Sequence, residues 1–310
     1  MAWSFSMYRT FQRCPRLWFY AAHWARSSAT DPERREAAIL KKLQSVSAWR
    51  GGVVDSVFQF FLVPRVNKKT PPSLSEVLAE GMRIFDLQLQ FAMNHRIREP
   101  GMTAATAGET FAAFQKVEYG EKIAPDEIDR ARQDVIDSIN NLYRKMPALR
   151  DAIREASWCV AQPPLSFRLL EGAVRARPDL ILFFTNRSPL IVDWKVHSFG
   201  NRDYADQLAG YALALTRGTP LPEFSKYYKR CSASDIELIE AQLKLGTLRT
   251  HPLTESDVAA AEERIAAGIL TLQNAYDEES SKQLRPDDFP RTHRPETCQS
   301  CSYRKICWRN

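Results

Sequence analysis

The chain has 310 residues, 44% hydrophobic and 26% charged, which is ordinary for a folded protein and enough for one large domain or two smaller ones. No apolar run approaches the roughly 20 residues of a membrane span, and the opening MAWSFSMYRTFQRCPRLWFY lacks the apolar core of a signal peptide. A net charge of +6 suits a polyanionic partner, and six cysteines in so long a chain make no disulfide scaffold; the expectation is a cytoplasmic protein whose cysteines are ligands or buried thiols.

Phe5, Tyr8 and Phe11 predict a short helix capped by Ser4 or Ser6 and ending before Pro15. A polar stretch runs over 27–35. Residues 37–62 read as helix, with Gly51 and Gly52 admitting something close. Pro64 and KKTPP mark a loop. The pattern stays helical to about 157, which reads as a helical insertion over 64–157. The period then changes: residues 158–184 alternate or run apolar between Pro, Gly and Asn-Arg-Ser-Pro, and LIVDWKVH is a second strand region. Helix is expected over 203–216, strand around 224–231, and a long helix over 254–276 capped by Thr254 or Ser256. A tail over 285–310 is rich in Pro, Arg and Cys. A phosphate-binding loop of the G-x-x-x-x-G-K-[ST] type does not occur, so this chain carries no ATPase motor of that kind.

Two features carry chemistry. The first is RPDLILFFTNRSPLIVDWK. Residues two apart on a strand share a face, so Asp193 and Lys195 project together and Trp194 projects the other way. A short turn can bring Asp179 of the preceding strand opposite Asp193. Two carboxylates and a lysine at one point of a sheet suit metal-dependent phosphodiester hydrolysis. The carboxylates, with the Trp194 carbonyl as a further candidate, would hold Mg²⁺ or Mn²⁺, and the lysine would position water or stabilise the transition state. The plainer reading is a surface ion pair; the apolar run Leu190, Ile191, Val192 argues against it, since an ionised group at a buried strand is costly without a partner. Gln207 and Tyr211, four apart on the next helix, share one face and can reach the site or the substrate strand.

The second feature is Cys14 together with Cys298, Cys301 and Cys307 in CQSCSYRKIC. Four thiolates fit either Zn²⁺ or a [4Fe–4S] cluster, and such a centre would tie the two ends of the chain together. Cys159 and Cys231, in apolar contexts, read as buried thiols.

These motifs, in this order, resemble the PD-(D/E)XK nuclease superfamily, specifically its RecB-like branch, which includes AddB-type nuclease domains and CRISPR-associated adaptation exonucleases. RPDLILF, LIVDWK and QLAGY are similar to that branch's aspartate, D-x-K and Q-x-x-x-Y run; YRTFQRCPRLWFY and CQSCSYRKIC resemble the cysteine motifs of its iron–sulfur members. The resemblance implies a single nuclease domain over 1–310, an α/β core with a mixed central sheet flanked by helices, and a catalytic sheet and helix over 158–231. It implies Asp179 and Asp193 as metal ligands, Lys195 as the catalytic lysine, Gln207 and Tyr211 as supporting residues, and [4Fe–4S] rather than Zn²⁺ at the cysteines. The branch often places a histidine four residues after a glycine in an early helix; here Gly51 is followed by Asp55, a departure that leaves Asp55 either a metal ligand or a plain surface acid. His197 is either a site residue or an ordinary strand-end histidine.

The implied substrate is DNA, single strands or ends before intact duplex, with RNA and branched DNA open. Arg285, Arg291, Arg294, Tyr303, Arg304, Lys305, Trp308 and Arg309, and KYYKR over 226–230, are candidate phosphate and stacking contacts. Repair, CRISPR adaptation and anti-phage defence all use such a module, alone or beside a helicase. The alternative is a non-catalytic DNA-binding or assembly subunit of the same fold.

Overall fold

The computed structural model describes residues 2–196, 204–276 and 284–308. Its chain changes character at Trp158. Before it come β1 (Ala2–Trp3) and helices α1 (Phe5–Arg13), α2 (Pro15–Phe19), α3 (Pro32–Leu40), α4 (Val46–Val57), α5 (Val63–Asn67), α6 (Leu74–Met93), α7 (Ala104–Ala107), α8 (Gln115–Glu118), α9 (Pro125–Arg144) and α10 (Pro147–Glu155). After it come β2 (Trp158–Ala161), β3 (Leu165–Leu169), β4 (Gly172–Ala176), β5 (Leu180–Phe183) and β6 (Leu190–Lys195). Then follow α11 (Ala205–Arg217), β7 (Glu237–Gln242), β8 (Thr247–Thr250), α12 (Glu255–Ala275), α13 (Pro295–Gln299) and α14 (Arg304–Cys307).

The main sheet has the order β2-β5-β6-β7-β8. Its β6–β7 pair is parallel and its other neighbours antiparallel. A parallel pair needs a crossover, and the segment containing α11 supplies it. A smaller sheet, β1-β4-β3, lies beside it. The result is a mixed α/β architecture with helices on both sides, as expected.

Strand alternation divides the core. Leu190, Val192 and Trp194 join the cluster built with α4, α6 and α9, whereas Ile191 joins the cluster that contains α11 and α12. The helical layer is tied by a buried ion pair between Arg50 of α4 and Asp134 of α9, with Lys244 Nζ 2.8 Å from Asp134. The Asn67 side chain pairs with both backbone groups of Cys159 (2.8 and 2.9 Å), covering part of the open edge of β2. The N-terminus is held by close approach: a Cβ at Gly210 would meet the Phe5 ring at 2.3 Å, and one at Gly268 the Trp3 indole at 2.6 Å.

Several expectations need correction. The strand expected at 224–231 is not one; the strand is β7, six residues later. Phe224 is buried against Phe183 and Tyr227 stacks on Trp158, so these aromatics fill the core. The helix expected over 37–62 is broken at 41–45, where Ser45 caps α4, and ends in a π-helical turn over Phe58–Leu62. The polar stretch contains the start of α3, capped by Asp31. Pro64 sits in the first turn of α5, directly after the π-helical turn, and not in a loop. At Gly51 and Gly52 no atom beyond their own stretch of helix lies within 4 Å of where a Cβ would stand, so no other described element packs there.

Candidate active site

The β5–β6 hairpin does what its sequence suggests. Leu180 pairs with Val192, and continuing that antiparallel register puts Asp179 opposite Asp193. Asp179 lies just beyond the paired strand, and its Oδ2 accepts the Trp194 backbone N–H at 2.9 Å. Asp193 is 1% exposed and ion-paired with Lys195. Trp194, on the other face, packs edge-on against Phe58 and donates its indole N–H to Asp55 Oδ1 at 2.7 Å. That bond brings Asp55 of α4 to the same strand end.

From α11, Gln207 Nε2 reaches Asp193 Oδ1 at 3.3 Å and Tyr211 Oη at 2.5 Å. The two thus share a face, and both stand at the site. Lys195 Nζ lies 4.5 Å from the centre of the Tyr204 ring. His197 lies outside the described residues.

Two neighbours were not anticipated. Arg9 of α1 donates to Gln207 Oε1 at 3.3 Å. Glu240 of β7 is the parallel register partner of Asp193, has no exposed surface, and has His251 Nε2 3.1 Å from its Oε2. The alternation in IELIEAQ could have pointed to a half-buried strand there, but its pairing with β6 is a long-range event that no local pattern carries.

Crowding of acids dominates the electrostatics. Burial pushes the Asp55 carboxyl up to about 6, partly opposed by the Trp194 hydrogen bond and by Lys195. Asp179 is held well above the ordinary carboxylate range by burial and then by the negative charges of Asp193 and Asp55. Asp193 is also raised, by burial first, with Lys195 opposing and Glu240 reinforcing the shift. For Lys195, burial disfavours the charge, but Asp193 and Asp179 outweigh it and the net shift is upward. Burial and the same two acids raise Tyr211, so its hydroxyl stays protonated.

This arrangement crowds Asp55, Asp179, Asp193 and Glu240 around Lys195. Oxygen donors in such surroundings suit a hard divalent cation, and in donor chemistry the residues fit Mg²⁺ or Mn²⁺. They are not gathered as a closed ligand shell: among the described residues no three His, Cys, Asp or Glu side chains stand together so as to hold a metal ion. Protein donors engage each carboxylate instead: Trp194 holds Asp55 and Asp179, and Lys195 with Gln207 holds Asp193.

Cys14, Cys298, Cys301 and Cys307 line one cavity between α2 and the tail, and none of them is in a disulfide. The tail is docked by contacts outside the thiols: Arg16 donates to Phe289 O at 2.9 Å and pairs with Asp287 at 2.6 Å, and Tyr119 Oη donates to Ser302 O at 2.8 Å. Burial raises the thiol of Cys301 to about 11 and that of Cys307 in the same direction, and the neighbouring cysteines add to both shifts. Four sulfurs at one cavity are the donor set of Zn²⁺ or an iron–sulfur cluster, again without three in gripping positions. Of the candidate nucleic-acid contacts in the tail, Tyr303 is buried and stacked on Tyr20, Arg304 is paired with Glu121, and Trp308 is exposed; Arg309 lies outside the described residues.

A comparison with protein families decides what this site belongs to. The PD-(D/E)XK nuclease superfamily matches residues 2–308. The chain belongs to that superfamily. Membership of the PD-(D/E)XK superfamily points to nuclease activity and implies DNA as the substrate; its nucleases generally use Mg²⁺ or Mn²⁺. None of the curated proteins compared with the chain matches it. A solved structure titled "Crystal structure of SSO0001" matches at 13% identity over 72% of this chain and 95% of its own, with a TM-score of 0.31, too low to take the likeness further. No helix among the described residues is long and apolar enough to cross a membrane.

Proposed function

We propose that this superfamily member is a Mg²⁺- or Mn²⁺-dependent deoxyribonuclease of the RecB-like branch, acting on single strands or DNA ends. The observation that carries the reading is the meeting of Asp55, Asp179, Asp193 and Lys195 at one strand end, with Gln207 and Tyr211 bonded into it. Asp179 and Asp193, with Asp55 in the histidine's place, would hold the ion. When bound, it lowers the pKa of a water and neutralises charge on the phosphate. Lys195, protonated because the acids around it keep it so, places positive charge where the transferring phosphoryl group gains negative charge. Gln207 fixes the Asp193 carboxylate, and Tyr211 fixes Gln207. We read 1–310 as one nuclease domain, 64–157 as its helical insertion, 158–231 as its catalytic sheet and helix, and 285–310 as the segment that pairs with Cys14 around a [4Fe–4S] cluster, Zn²⁺ being the alternative. Without a phosphate-binding loop of its own, the chain trims accessible DNA or works beside a helicase, in repair, CRISPR adaptation or anti-phage defence.

The second reading, a non-catalytic DNA-binding subunit, draws on the absence of a gathered ligand shell among the described residues. One experiment separates the two. Anaerobically purified protein is incubated with end-labelled single- and double-stranded DNA, with Mn²⁺ or with EDTA, beside Lys195→Ala. Cleavage that needs both the metal and Lys195 supports the nuclease; binding without cleavage supports the subunit. Iron and sulfide content of the same sample tests the cluster against Zn²⁺.

A further inference from the structure

Beside the carboxylates runs a groove of about 550 Å³, open to solvent. One wall is the start of α1 with Arg9; the other is the outer face of the β3–β4 hairpin, with Ser166, Arg175 and Arg177; Gln207 and Tyr211 line it from α11. Alternation builds the second wall. Phe167 and Val174 pair on the buried face, so their neighbours Ser166 and Arg175, also a register pair, face outward, and Arg177 follows two residues on.

Three features set this groove apart. Its lining carries three arginines and no acidic side chain. The exposed side chains of Arg175 and Arg177 make no ion pair or hydrogen bond with any described residue, so both are open to an outside anion. The groove also joins the site through one residue, because Gln207 accepts from Arg9 and donates to Asp193.

We propose that this groove is the track along which a single nucleic-acid strand reaches the carboxylates, with Arg175 and Arg177 binding successive phosphates and Arg9 the phosphate nearest the site. Arg175 lies in β4 and Arg177 one residue past its end; extended residues two apart stand about 6.7 Å apart, a separation that an extended nucleic-acid strand can match phosphate by phosphate. Charge without an internal partner, in a lining without acids, suits a polyanion, and a groove with walls on both sides suits one strand rather than a duplex. The proposal rests on the nuclease reading for the direction of the track, and its test separates the two.

The test measures binding of a fluorescent single-stranded oligonucleotide in EDTA across a salt series, and cleavage kinetics in Mn²⁺, for the native protein, Arg175→Gln/Arg177→Gln and the control Arg83→Gln. In the double variant, affinity is expected to fall about tenfold or more and the slope of log K against log salt to become shallower by about 1.4, the value for two lost phosphate contacts on a single strand. KM should rise by a similar factor while kcat changes far less, and Arg83→Gln should behave as the native protein. Unchanged affinity, salt slope and KM in the double variant overturn the track even if the native protein cleaves DNA. A native protein that cleaves nothing, but whose binding falls as described, keeps the track and overturns the nuclease. A duplex that binds as tightly, with the same loss in the variant, overturns the single-strand assignment.

Discussion

Trp194 Nε1 lies 2.7 Å from Asp55 Oδ1, so the residue between Asp193 and Lys195 in the sequence is the one that fastens the helical layer to the carboxylate site. Its backbone N–H holds Asp179 as well. Strand alternation makes this possible: Asp193 and Lys195 face α11, and Trp194 faces α4.

Trp194→Phe keeps an aromatic ring beside Phe58 but removes the indole N–H together with one ring of the fused pair, leaving a small void at this buried position. Leaving a half-buried carboxylate without that donor should cost about 1–3 kcal/mol in urea unfolding. The lost hydrogen bond favoured the ionised form, so the Asp55 carboxyl should titrate higher than about 6, followed by NMR of the labelled side chain. An unchanged titration would show that the bond does not act on Asp55.

The raised acids also set a pH dependence. Asp55, Asp179 and Asp193 all have folded values above their ordinary range, so between about pH 4 and their folded values the folded protein carries more protons than the unfolded chain. Stability then falls as pH rises. For Asp55 this contribution is fully present below about pH 4 and is lost as pH passes about 6. Metal-free protein should show a melting temperature that drops through this window, less steeply in Asp55→Asn. Mn²⁺ favours ionised carboxylates, so its stabilising effect should be larger near pH 8 than near pH 5; equal shifts would argue against binding at these acids.

Asp134→Ala removes the buried partner of Arg50 and a partner of Lys244. An unpaired buried guanidinium should cost about 3–5 kcal/mol, read from the denaturant midpoint. A loss below 1 kcal/mol would mean that water reaches Arg50 from the open side of α4.

Gly52→Ala should act in the opposite direction. Gly52 lies inside α4 with ordinary backbone angles and open space where a Cβ would go, so alanine should add about 0.5–1 kcal/mol through helix propensity. If the cleavage rate falls while the melting temperature rises, the open glycine face of α4 is used by substrate rather than by the fold.

Local pattern was enough for much of this protein. The change from helical to strand period near Trp158, the caps Ser4 and Thr254, the shared face of Asp193 and Lys195, and the i,i+4 pair Gln207 and Tyr211 all depend on neighbours a few residues away, where backbone geometry dictates the outcome. What sequence could not decide lies in contacts that join distant segments. Glu240 stands beside Asp193 only because β7 crosses over to pair in parallel with β6. Asp55 stands at this strand end because α4 packs against the face of β6 that carries Trp194, and Arg175 and Arg177 line one groove with Arg9 because Gly210 lets Phe5 and α1 settle onto α11. Such contacts are chosen by burial and close packing over the whole chain, which leave no local period to read.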